Sequence, residues 1–314
     1  MSQSGALHLS TGLQGKNIDK DQLDSTVEQY AKYHDLHGGD EEFRKSNYSD
    51  LVKKYYDLVT TFTEYHWGQS FHFAPRWHGE TLRESIKRFE HFIALQLGLK
   101  KGMKVLDVGC GIGGPLREIA KFSSAEITGL NNNAYQISRG KELISLAAYA
   151  IEATIHAPDA LGAYREIYRV LKPGQYFALD ELCLTDKFDP NNTKHRDIKA
   201  EIELGSGLPD IRRTRECIQA MKDAGFEVIF AKDLAEESEC PWYHELEPGH
   251  FSLKSISNSR VGTLEFLRIA PKGCNRLFSI LQTASHGLLM GSREQIFTMT
   301  FFVLGRKPLK ESEI

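Results

Sequence analysis

The stretch KVLDVGCGIGG, residues 104–114, decides how this chain folds. Val105, Leu106 and Val108 form a short aliphatic run, the composition of a buried strand. Gly109, Gly111 and Gly114 follow at G-x-G-x-x-G spacing, with Gly113 inside it. Glycines permit a sharp turn there and let a ligand approach the backbone closely. PLREIAKF then reads as a helix, whose first N–H groups face electron-rich atoms. The spacing alone is a weak signal. Between a strand and a helix it marks a cofactor-binding turn.

Outward from this turn, strands and helices alternate. AEITGL (125–130), YAIEA (149–153) and QYFALDE (175–181) read as strands. Residues 135–146 and 160–171 read as helices, the second ended by KPG. This rhythm predicts an α/β fold, a mainly parallel, doubly wound sheet. Further on, 194–204 and 214–224 read as helices, and 225–234 and 296–308 as strands. On the N-terminal side, Leu23, Val27 and Tyr30 share one helical face, and Leu51, Tyr55 and Leu58 a second. Leu82, Ile86, Phe89, Ile93 and Leu97 mark a third helix, stopped by Gly98. Three regions follow: a helical region 1–80, a cofactor-binding domain 81–235 and an α+β C-terminal region 236–314. The first ~19 residues are polar and expected to be mobile.

Composition narrows the function. Apolar residues make up 41% and charged residues 26%, which excludes a disordered chain. The net charge of -3 leaves no basic field, so no nucleic-acid partner is expected. No run of 18 or more apolar residues predicts a membrane span. MSQSGALHLSTGLQG lacks a basic start followed by an apolar core, so it does not read as a signal peptide. The 5 cysteines are scattered and form no CxxC pair. That favours a reducing compartment and argues against a zinc site; no metal is expected.

The position that carries a ribose-binding acid in NAD sites is Asn131 here. The acid instead precedes the glycines, as Asp107. D-V-G-C-G-x-G-G resembles the first motif of class I S-adenosylmethionine-dependent methyltransferases. The resemblance implies a Rossmann-like fold that binds S-adenosyl-L-methionine. Asp107, Gly109, Gly111, Gly113 and Gly114 would surround its methionine end, with Asn131 near its ribose.

An aromatic stretch, FTEYHWGQSFHFAPRWHGE (62–80), precedes this domain. Aromatics at this density also serve simply to pack helices together. Together with YAIEATIHAPD (149–159) and EIYRVLKPG (166–174), however, it resembles the signatures of the sterol 24-C-methyltransferases. TGLNNN (128–133) and GLPDIR (207–212) bring the chain nearest to the plant-type, cycloartenol-methylating branch. The implied reaction is methylation of a Δ24 sterol at carbon 24. Attack by the side-chain alkene leaves a carbocation, which aromatic faces stabilise by roughly 2 kcal/mol each when desolvated. A base must then remove a proton. By this resemblance Glu152, His156, Glu64 and His72 are the acid–base candidates. Tyr65, Trp67, Phe71, Phe73 and Tyr149 line the sterol. The family also implies a sterol partner, peripheral contact with the cytoplasmic face of the endoplasmic reticulum through aromatics such as Trp67 or Trp242 and Tyr243, and a possible homo-oligomer.

Several positions depart from the family pattern. Thr63 stands for a Tyr, and His66 for a Gly whose φ > 0 would make the exchange costly. The signature Y-E-W-x-M-T-D reads DELCLTD (180–186), placing Asp180 as a possible charge beside the carbocation. The largest departure lies between Leu130 and Tyr149, which leaves room for one helix only. The family's 3-2-1-4-5 sheet has another helix-and-strand unit here, about 30 residues. The sheet is therefore expected to lack one edge strand. Reversed travel past the first strand predicts strain around 145–148 and weak adenine binding. The stretch 257–263 also reads as shortened. An impaired chain that binds sterol or a partner without turnover is the alternative reading. A methyltransferase acting on another small acceptor is a third.

Overall fold

The computed structural model describes residues 22–34, 39–131, 147–247, 258–268 and 270–309, and only the backbone of 60–67, 245 and 258–260. The chain forms two compact units, each discontinuous in sequence. One comprises Met1–Gly68, Phe188–Ile211 and Tyr243–Ile296; the other comprises Gln69–Lys187, Arg212–Trp242 and Phe297–Ile314. Their edges do not coincide with linear boundaries at 80 and 235.

The first unit is helical. Its elements are α1 (Leu23–Ala31), α2 (Glu41–Ser46), α3 (Tyr48–Trp67), α7 (Thr193–Ser206), α9 (Asn258–Phe266) and α10 (Cys274–Arg293). Leu23, Val27 and Tyr30 pack with Leu51, Leu58, Leu277 and Phe278 in one buried cluster. A Cβ added at Gly205 of α7 would lie 1.9 Å from Ala284 Cβ of α10, so this glycine lets the two helices touch. The start of GLPDIR is fixed by a buried ion pair: Arg44 Nη2 bonds Glu203 Oε2 at 2.9 Å and Arg44 Nε donates to the Pro209 carbonyl.

The second unit holds β1 (Lys104–Val108), β2 (Glu126–Leu130), β3 (Ala147–Ile151), β4 (Tyr176–Leu184), β5 (Glu227–Asp233) and β6 (Phe297–Arg306). They form one sheet in the order β2-β1-β3-β4-β6-β5. β2, β1, β3 and β4 run parallel, and β6 is antiparallel to both β4 and β5. Among the described residues β2 ends the sheet, so no strand stands outside it, as the short connection requires. The expected helix over 135–146, and Ser145 of the expected strained segment, lie outside the described residues. Ala147 and Ala148 correct the rest of that expectation, because they are 1% and 0% exposed and belong to β3.

Helices cover both faces, as a doubly wound sheet demands. α4 (Leu82–Gln96) and α5 (Gly114–Ser123) meet through the stacked rings of His91 and Phe122. α4 also lays Phe92 against Phe302 of β6. α4 begins with a capping box, in which Glu84 and Thr81 each bond the other's backbone N–H. The opposite face receives α6 (Ala160–Val170) and α8 (Thr214–Asp223). There Leu106, Ala148, Ala150, Leu179 and Val303 pack with Tyr164, Ile167 and Met221. Strand alternation therefore turns Asp107, Tyr149 and Asp180 toward the α4 face. No helix among the described residues is long and apolar enough to cross a membrane.

Candidate active site

Between β1 and α5, Gly109, Gly111 and Gly113 take φ values of 79°, 49° and 81°, the left-handed region that favours glycine. Gly109 and Cys110 donate to the Leu130 carbonyl at 2.7 and 3.0 Å, which fixes the turn to the end of β2. Asn131 donates to the Gly111 carbonyl at 3.4 Å, so it borders the turn. An added Cβ at Gly111 meets nothing within 4 Å, so this glycine fills no packing need.

Two other glycines are needed for contact. A Cβ on Gly109 would sit 2.3 Å from Ala153 Cβ, and one on Gly114 only 2.0 Å from the Gln69 carbonyl oxygen. The aromatic segment and the segment after β3 therefore both rest directly on the glycine turn. Arg117 adds a side-chain tie, donating to Gln69 Oε1 at 2.7 Å.

Asp107 is buried and accepts a hydrogen bond from Tyr149 Oη at 2.9 Å. Burial pushes its carboxyl up to about 7, against the Tyr149 bond and the His72 charge. His72 is also buried, with Nδ1 2.7 Å from the Phe73 carbonyl and Nε2 3.3 Å from Glu90 Oε1. Both partners are oxygens that accept, an arrangement that suits a ring protonated on both nitrogens. Burial opposes that charge, but the Glu90 bond and charge, Glu152 and the Phe73 carbonyl raise the His72 pKa overall. Ser70 completes the group, donating to Glu90 Oε1 at 2.6 Å.

Glu152 follows β3 in the left-handed region, with φ 49°. Its Oε1 accepts the Phe73 N–H at 2.7 Å, joining the YAIEAT and SFHF signatures. Burial pushes its carboxyl up to about 7, with the His72 charge and the Phe73 bond opposing and Glu181 adding. His156 lies in the short helix Thr154–His156, half-buried, with its N–H on the Ala153 carbonyl. Phe71 and Phe73 are half-buried, and the Phe73 ring meets Trp242 edge-on at 4.9 Å. Glu64, Tyr65 and Trp67 lie on the last turns of α3, with side chains outside the described residues.

Three expectations are corrected. His66 carries no glycine-type strain, because it lies within α3, and the positive φ of 98° belongs to Gly68. Trp242 is not a surface aromatic; it is 4% exposed, between Phe73 and Phe297. Asp180 lies where a negative charge is disfavoured. It is 1% exposed, and neither carboxyl oxygen has a hydrogen-bond partner among the described residues. Burial, then Glu152, Glu181 and Asp233, pushes its pKa well above the ordinary carboxylate value.

A pH signature follows from Asp180. The unfolded chain loses this proton near ~3.9 while the folded chain keeps it, so stability falls as pH rises between the two pKa values. The slope is about 1.4 kcal/mol per pH unit within that window. Asp180→Asn removes it. Urea unfolding from pH 4 upward should show the variant gaining steadily on the wild-type chain. A pH-independent difference would mean that Asp180 is ionised in the fold.

Sequence reasoning missed Ser70, Glu90, Thr154, Glu181 and Arg212. Glu90 had a visible signal, an acid one position from Phe89 on the apolar face of its helix.

Residues 252–309 match the family model described as sterol methyltransferase C-terminal. The chain is 57% identical to cycloartenol-C-24-methyltransferase 1 of Oryza sativa subsp. japonica, over 99% of this chain and 100% of that one. It is 56% identical to the cycloartenol-C-24-methyltransferase of Arabidopsis thaliana, over 96% and 100%. The rice alignment spans 345 positions against 314 residues here, so at least 31 positions have no counterpart in this chain. Among solved structures, the cyclopropane synthase MmaA2 of Mycobacterium tuberculosis matches with a TM-score of 0.65 at 16% identity, over 82% of this chain and 98% of that one. That likeness concerns the fold alone.

Proposed function

The chain belongs to the sterol 24-C-methyltransferase family, and from that premise we propose that it transfers the methyl group of S-adenosyl-L-methionine to the side-chain alkene of a Δ24 sterol such as cycloartenol, in sterol biosynthesis. The observation that carries this reading is the junction at Glu152. Its carboxylate holds the aromatic motif through Phe73 N, and its neighbour Ala153 touches Gly109 of the cofactor turn.

The turn fits the cofactor. Gly111 leaves open space beside it, Asn131 borders it, and Asp107 offers a buried acid behind it. When bound there, S-adenosyl-L-methionine supplies an electrophilic methyl group. Asp107, Gly109, Gly111, Gly113, Gly114 and Asn131 hold it. The sterol side chain lies along Phe71, Phe73 and Tyr149, with Tyr65 and Trp67 of α3 also assigned to it. Glu152 takes the proton after methylation, because a carboxyl near 7 is an effective base at neutral pH. His72, its pKa raised despite burial by Glu90 and Glu152, stands beside Glu152 and pairs with Glu90. His156 and Glu64 remain secondary acid–base candidates.

Incubation with methyl-labelled S-adenosyl-L-methionine and cycloartenol tests this reading. Label should appear in a sterol alkylated at carbon 24. Sterol binding without label supports the impaired-chain alternative, and label only on a phenol or amine supports a different acceptor. Collecting a nearly insoluble sterol calls for peripheral contact with a bilayer. We place that contact at the cytoplasmic face of the endoplasmic reticulum, to be checked by vesicle flotation.

A further inference from the structure

The segment after β3 carries Glu152 in the left-handed region, a conformation that costs a non-glycine residue of order 1 kcal/mol and persists only where its surroundings enforce it. Glu152 donates its own N–H to the Asp180 carbonyl at 2.8 Å, and the turn that follows it is tied down by a group 55 to 58 residues later in sequence. Arg212 Nη1 donates to the Ala157 carbonyl at 2.8 Å, and Nη2 donates to the Thr154 carbonyl at 2.7 Å and to Glu181 Oε2 at 3.2 Å. Thr154 Oγ1 donates to the other oxygen, Glu181 Oε1, at 2.8 Å. Glu181 is fully buried and Arg212 nearly so, so these bonds act with little competition from water. Arg212 is itself tied to the end of β4, because its carbonyl accepts the Leu184 N–H at 2.9 Å. One planar fork thus spans both ends of the 154–157 turn and the strand beside it, a span a lysine nitrogen cannot reproduce.

We propose that Arg212, acting through Glu181 and Thr154, is the positioning residue that sets the Glu152 carboxylate for proton abstraction. It touches neither sterol nor cofactor. The inference rests on the functional reading above for its kinetic consequence, but not for its structural one.

Arg212→Lys keeps the charge and loses the fork. Hydrogen exchange should then show lost protection across residues 152–158, with the remaining sheet unchanged. kcat for sterol methylation should fall about ten- to hundredfold, as for misplacement by about 1 Å, while KM for S-adenosyl-L-methionine stays nearly constant. The acidic limb of the kcat–pH profile should also move down, because a loosened Glu152 gains water. The groups facing Glu152 are His72 and the Phe73 N–H on one side and Asp180 and Glu181 of β4 on the other, and all remain in this variant. Thr154→Val, which removes the hydroxyl's bonds to Glu181 and to the Tyr164 hydroxyl and leaves the Arg212 fork in place, guards against a variant that fails to fold. It should give a smaller loss with the same pH displacement. Unchanged exchange at 152–158 overturns the assignment, as does a loss of activity that tracks only the folded fraction. If the wild-type chain methylates no sterol, the functional reading fails, and the exchange result still decides for or against Arg212.

Discussion

Glu152→Gln is expected to lower kcat for sterol methylation by about 10²- to 10⁴-fold, the usual contribution of a positioned general base. The amide keeps an oxygen for the Phe73 N–H, so thermal unfolding should change little. Burial holds the wild-type carboxyl near 7, and only its ionised form accepts a proton. Turnover of the wild-type chain should therefore rise between about pH 6 and 8 and level off above, and the variant should lose this limb. Binding of S-adenosylhomocysteine should survive, since Glu152 lies on the acceptor side of the Gly109–Ala153 contact. A variant with wild-type kcat would move the base to His156 or Glu64.

Gly114→Ala should damage the site from the other side. The new Cβ would lie 2.0 Å from the Gln69 carbonyl oxygen and 2.3 Å from its carbon. Both are backbone atoms, so no flexible side chain can yield. Overpacking of this kind costs about 1–3 kcal/mol. Either α5 or the 69–73 segment must move, and the latter carries the Phe73 N–H that holds Glu152. Calorimetric titration with S-adenosylhomocysteine should show affinity reduced about tenfold or more, the equivalent of about 1.4 kcal/mol. Turnover should fall further than affinity. Gly111→Ala is the informative contrast, because it strains a φ of 49° without a steric contact. It should perturb the cofactor turn and leave the pH dependence of turnover unchanged.

Local pattern carried most of the sheet unit. Every strand was legible, because aliphatic runs bounded by glycine or KPG leave few alternatives. β4 ran further than its sequence suggested, to Leu184, because β6 pairs along it past the two acids. Much of the helical unit was not legible. α10, which the sequence reading did not assign, contains Gly287, where a Cβ would come within 2.7 Å of Glu201 Cβ. That glycine is required by a neighbour distant in sequence. The site divides the same way. Asp107, the glycine turn and Glu152 follow from motifs. The Glu90–His72 pair and the Arg212 fork depend on groups brought together only by the fold. The burial of Asp180, which disfavours its charge, is likewise not reported by a motif.

The contacts Gly109–Ala153 and Gly114–Gln69 have a consequence for how such a chain can change over generations. The residues proposed for the acceptor and those proposed for the methyl donor share van der Waals surfaces. A substitution in 69–73 or 152–154 that suits a new sterol is therefore also a substitution in the donor site. Its effect depends on which residues already stand at 109–114. Acceptor preference and donor affinity should then drift together, through compensating pairs rather than single steps. Recombining the two segments from different relatives should give non-additive losses, recovered only when both come from the same parent.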